Sequence, residues 1–121
     1  MAEFMLIMHR DTGRYAVRSP EERQQVLAEY AAWRMELEKH GHYLDANKLT
    51  DHDGRYLSFH NGEVRVVDGP YAEAKEIMGG YLIFRAADYD EAVKIASRCP
   101  HLKHGWRLEL REVGVIPEPQ F

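Results

Sequence analysis

Apolar positions follow two different rhythms along this chain, and the change from one to the other marks its elements. Residues 3–9, Glu3-Phe4-Met5-Leu6-Ile7-Met8-His9, form a short apolar run that predicts a strand buried on both faces. Helical spacing then takes over. Ser19 is a natural cap, Pro20 suits the first helical position, and Glu22 completes a Ser-x-x-Glu capping box. Val26, Tyr30, Trp33 and Leu37, with Leu27 beside them, give residues 20–40 one apolar face. Lys39 and His40 favour the last turn, and Gly41 stops it.

A second helix is expected over about 89–99, opened by Asp88 with Glu91 reciprocating, striped by Ala92, Val93, Ala96 and Cys99, and ended by Pro100. Strand-like segments fall at 42–49, 55–60, 63–67 and 79–85, separated by the turn signals Asp53-Gly54, Asn61-Gly62 and Asp68-Gly69-Pro70. The last strand, 106–113, alternates Trp106, Leu108 and Leu110 against Arg107, Glu109 and Arg111. The order is that of an α+β, ferredoxin-like β-α-β-β-α-β domain with a β-hairpin inserted before its third core strand. Residues 1–115 make that single domain, and 116–121, with Pro117 and Pro119, a tail.

Assembly follows from the pattern. In such a plan the first and third core strands are central, and 3–9 and 80–84 are the runs apolar on both faces. Two helices cover only one face of the sheet, so the other leaves an apolar surface larger than monomers usually expose. Pairing the sheets of two chains face to face in a two-fold dimer covers it. The alternative is an inserted hairpin that folds back over its own sheet.

Composition narrows the classes. A chain of 121 residues suits one core, and no uncharged apolar run is long enough to cross a membrane as a helix. The first residues lack the pattern of a secretory signal, and a lone cysteine, Cys99, fits a reducing, cytoplasmic setting. A net charge of −4 with dispersed basic residues argues against nucleic acid as a partner.

Several residues could carry chemistry. Asp68 in Asp68-Gly69-Pro70 is first a turn residue; desolvated at a cleft mouth it would serve as a base or ligand anchor. Glu73, Lys75 and Glu76 form a charged strip, either a solvated ion pair or the lining of a pocket in which Lys75 meets an anionic group. Gly79-Gly80 fits a bulge or a close backbone approach. His40-x-His42 and His101-x-x-His104 have ligand-like spacing, but no closed set accompanies them, so no metal and no cofactor is expected. Cys99 reads as a small buried hydrophobe. Tyr30 and Trp33 belong to the core by default and could also roof a ligand cavity.

The string Val67-Asp68-Gly69-Pro70-Tyr71-Ala72-Glu73-Ala74-Lys75-Glu76-Ile77-Met78-Gly79-Gly80-Tyr81 resembles the signature of the DGPF-domain branch of YCII-related proteins, with Tyr71 for Phe and Ala74 for Thr as departures. The opening strand, the Ser-Pro-Glu-Glu helix start, Asp90-Glu91-Ala92 and Arg98-Cys99-Pro100 are similar as well. The resemblance implies a dimeric α+β barrel. It also implies two functional classes: enzymes using a His–Asp pair, some on chlorinated aromatics, and proteins that accompany sigma factors. The histidine that YCII relatives carry near the start of the first helix has no counterpart between Pro20 and Glu29.

Two functions are therefore carried forward, and whether the chain is an enzyme stays open. The first is a small-molecule enzyme or binder near the dimer interface, with Asp68 and His9 or His60 in proton transfer and Tyr71, Glu73, Lys75 and Glu76 as ligand contacts. The second is a non-catalytic interaction or regulatory module linked to transcription.

Overall fold

The fold is described from a computed structural model, over residues 1–11, 19–50, 54–69 and 74–120. It is α+β. Six strands, β1 (Ala2–Asp11), β2 (Tyr43–Lys48), β3 (Arg55–His60), β4 (Glu63–Asp68), β5 (Glu76–Ala86) and β6 (Arg107–Glu112), accompany helices α1 (Pro20–Lys39) and α2 (Tyr89–Ala96). A 3-10 turn, Pro100–His104, follows α2. No helix among the described residues is long and apolar enough to cross a membrane.

Four strands form one antiparallel sheet in the order β2-β5-β1-β6, and β3 and β4 pair only with each other. The two doubly apolar runs are thus central, and the arrangement is consistent with a ferredoxin-like plan. Side chains alternate across the pleat. Phe4, Leu6 and Met8 of β1 and Leu82, Phe84 and Ala86 of β5 point to one face and are buried. Trp33 and Leu37 of α1 and Ala92, Ala96 and Cys99 of the α2 region close that core. Met5 and Ile7, with Ile83 and Tyr81 as their cross-strand partners, lie on the other face and are only half-buried.

The helix ends obey their caps. Ser19 Oγ accepts from the Glu22 amide at 3.2 Å, and Asp88 Oδ1 accepts from the Glu91 amide at 2.9 Å. Glu91 reciprocates by accepting from the Ala87 amide at 3.0 Å, one residue before the cap itself. Each such cap satisfies an amide that the first turn would leave orphaned.

Several sequence expectations need correction. Helix α2 stops at Ala96 rather than 99, because the chain tightens into i→i+3 bonds (Arg98 to Ile95, Cys99 to Ala96) before Pro100 opens the 3-10 turn. Val93 and Leu27 are exposed, lying off the faces that Ala92, Ala96 and Cys99, or Val26, Trp33 and Leu37, turn inward. Strand β5 begins at Glu76, three residues early, because Glu76, Ile77 and Met78 continue the ladder to Asp11, Arg10 and His9.

The hairpin does not fold back over the sheet. Its strands are joined by Asn61-Gly62, both at positive φ (50° and 78°), as a tight primed turn requires. Its residues are exposed along the full length of both strands. No extensive packing joins it to any other described element.

Candidate functional site

A cleft of about 450 Å3 lies between α1 and the β2-β5 side of the sheet, large enough for a small metabolite. Two glycines create its floor. A β-bulge interrupts the β1–β5 register between Met8 and His9, opposite Gly79. A Cβ on Gly79 would stand 2.6 Å from the Trp106 ring, and one on Gly80 would stand 2.8 Å from the Asn47 carbonyl oxygen. Only glycine lets the indole and the neighbouring backbone come so close.

One wall is aromatic. Trp106 meets His101 edge-to-face at 4.8 Å between ring centroids, His101 meets Tyr30 the same way at 5.3 Å, and Tyr30 leans on Trp33 at 5.9 Å. Edge-to-face pairs set the positive rim of one ring on the negative face of the next. The 3-10 turn that presents His101 is tied to α1 by Glu29, which ion-pairs with Lys103 at 2.8 Å and lies 3.5 Å from His104. The Lys103 hydrogen bond holds the Glu29 carboxyl below its ordinary range, against a smaller opposing effect of burial.

Burial pushes the Tyr30 phenol up to about 12, so it stays protonated and can donate a hydrogen bond at neutral pH. Burial likewise pushes the Cys99 thiol up to about 11; its Sγ lies 3.7 Å from His101 Nδ1. The thiol is a packed neighbour of the wall, not a nucleophile.

The remaining polar lining is one-signed. Arg23 and Arg34 from α1 and Lys48 from β2 face the cleft, and no carboxylate lines it among the described residues. Arg34 is held in place by Glu38 at 3.3 Å and by the Tyr43 ring, 4.5 Å from its guanidinium carbon. In a chain of net charge −4, three cations around an apolar, aromatic hollow favour an anion.

Of the residues singled out in the sequence, Tyr30, Gly79, Gly80 and His101 line the cleft, whereas His9, His60, Asp68, Lys75 and Glu76 lie elsewhere. His9 is on the open sheet face, where its Nε2 is 2.9 Å from Glu109 Oε1, and Arg111 reaches the other oxygen of that carboxylate at 3.3 Å. His60 stands at the tip end of β3, exposed. Asp68 ends β4 with its side chain 86% exposed, its carboxylate 3.1 Å from Arg55 Nε. No hydrogen bond or ion pair joins Asp68 to His9 or His60. Glu76, half-buried, accepts from Arg107 Nε at 2.8 Å, and Lys75 is exposed just before β5. Tyr71 and Glu73 lie outside the described residues.

His40 pairs with Glu36 at 3.4 Å, and His42 Nδ1 donates to the Arg85 carbonyl at 2.8 Å. Among the described residues no group of three or more His, Cys, Asp or Glu side chains could hold a metal ion.

The whole architecture from β1 through β6 falls inside one family match: the model of the YCII-related domain aligns with residues 2–114. This chain belongs to the YCII-related domain family. No curated protein matches it. Within this YCII-related chain the cleft draws on β1, α1, β2, β5 and the segment 101–106, so no short motif encodes it. The sequence signals that reach it are Gly79-Gly80, which calls for a close approach without saying by what, and Tyr30 on the apolar face of α1.

Proposed function

We propose that this YCII-related protein, of the DGPF branch, binds a small anionic molecule with an aromatic or apolar body in the α1–sheet cleft. The reading rests on the cleft's lining: Arg23, Arg34 and Lys48 face it, and its described lining residues include no carboxylate. The anionic group sits toward these cations, and the body lies against Tyr30 and Trp106. Charge-assisted hydrogen bonds and aromatic contact are the strong terms for such a ligand.

Acid–base chemistry in the cleft would fall to Tyr30 as donor, with the His101 ring beside it on the same wall. A proton-transfer role for His9 draws on Glu109, which orients its ring, rather than on Asp68. The chain acts as a ferredoxin-like protomer whose open sheet face, centred on Met5, Ile7, Tyr81 and Ile83, receives a second copy. A regulatory module without catalysis is the second reading; the exposed hairpin favours it.

Titration calorimetry with salicylate, phenyl phosphate and uncharged benzyl alcohol tests the ligand class. The two anions should bind and the alcohol should not, and Arg34→Met should weaken the anions about tenfold or more. Equal binding of all three, or none by any, overturns the reading.

A further inference from the structure

The β3–β4 hairpin carries an apolar face on which no other described element packs extensively. Leu57 stands opposite Val66, and Phe59 opposite Val64, so the register puts all four on one side of the ribbon. They are 57–72% exposed. The opposite side carries Tyr56 and Val67 near the base, less exposed at 37% each, and then the polar Ser58, Arg65, His60 and Glu63 toward the tip. A base clamp, the Gly69 amide donating to the Gly54 carbonyl at 3.2 Å, keeps the ribbon closed where it leaves the body. Six residues per strand give it a reach of roughly 20 Å.

An isolated two-stranded hairpin is at best marginal in water, and this one has no extensive contact with another described element. Its cover must therefore be present whenever the chain is folded, which points to the chain itself. The four side chains offer on the order of 450 Å2. In a two-fold pair each chain gives one hairpin and receives one, so each buries about twice that, near the ~800 Å2 per partner of a standard interface.

We infer that the hairpin is an exchange arm: the face of Leu57, Phe59, Val64 and Val66 seats on the open sheet face of a second copy, against Met5 and Ile7. The inference rests on the two-copy assembly proposed above and adds the segment that makes it.

Replacing all four hairpin residues by threonine (Leu57→Thr, Phe59→Thr, Val64→Thr, Val66→Thr) removes the apolar face and keeps strand propensity. Sedimentation should show the parent as a dimer of the 14.1 kDa chain at micromolar concentration. The fourfold variant should dissociate with a dimer constant weakened roughly a hundredfold or more. A parent that is monomeric overturns both the assembly and the arm. A variant as dimeric as the parent, while Ile7→Lys is monomeric, overturns the arm alone.

Hydrogen exchange of the parent decides the case where the variant does not fold. Amides of residues 55–68 protected at high concentration and released on dilution support the arm. Equal exchange at both concentrations, fast or slow, overturns it, because the hairpin is then uncovered or covered within one chain.

Discussion

Trp106 occupies the space that a side chain on Gly79 would need, its ring 2.6 Å from where that Cβ would stand. The indole is rigid and in edge-to-face contact with His101, so it cannot give way as a flexible chain end would. Gly79→Ala should cost about 1–3 kcal/mol, seen as a lower melting temperature, and should also change affinity for any cleft ligand. Unchanged stability would mean that the Trp106 wall moves freely, and the cleft would lose its fixed shape.

The pair of His9 and Glu109 predicts an acid limb in stability. The His9 hydrogen bond first, and Arg111 second, hold the Glu109 carboxyl below its ordinary value of 4.5. A carboxyl lowered on folding contributes stability that is complete above its unfolded value and disappears as pH falls through its folded one. Melting temperature should therefore fall below about pH 4.5, and Glu109→Gln should make that part of the profile shallower. A profile identical in the variant would assign the acid limb to other carboxyls.

Asp68 separates signature from site. Its exposed ion pair with Arg55 is of a kind worth about 0–1 kcal/mol, so Asp68→Asn should barely change the melting temperature. Calorimetry with salicylate should give the same affinity as the parent, since Asp68 does not line the cleft. Loss of binding in this variant, with the fold intact, would return Asp68 to the functional residues.

The elements were legible because local chemistry marks them. Ser19, Asp88, Gly41 and Pro100 punctuate the helices, and Asn61-Gly62 fixes the hairpin. The central positions of β1 and β5 followed from their apolar runs. What stayed hidden depends on contacts between distant residues. Spacing reads His101 as half of a ligand pair with His104; its place in an aromatic wall depends on Tyr30 of α1 and on Trp106, just before β6, arriving beside the 3-10 turn. Arg34 and Lys48 are ordinary surface cations until α1 and β2 bring them to one hollow. His9 has a clear partner, but one a hundred positions away, which no spacing rule reaches.

The order β2-β5-β1-β6 has a consequence for how the chain comes off the ribosome. Strand β1 is made before the rest of its sheet, and both of its neighbours, β5 and β6, lie beyond residue 75. Until they emerge, Phe4, Leu6 and Met8 have no sheet to join, and both edges of the strand offer unpaired amides and carbonyls. Such non-local pairing is intrinsically slow and leaves apolar strands open to aggregation. Helix α1, with its own cap, has local contacts that favour it meanwhile, whereas the hairpin still lacks the cover it needs. Cotranslational handling of this protein should therefore depend on what shields Ala2–Asp11 while β5 and β6 are still being synthesised.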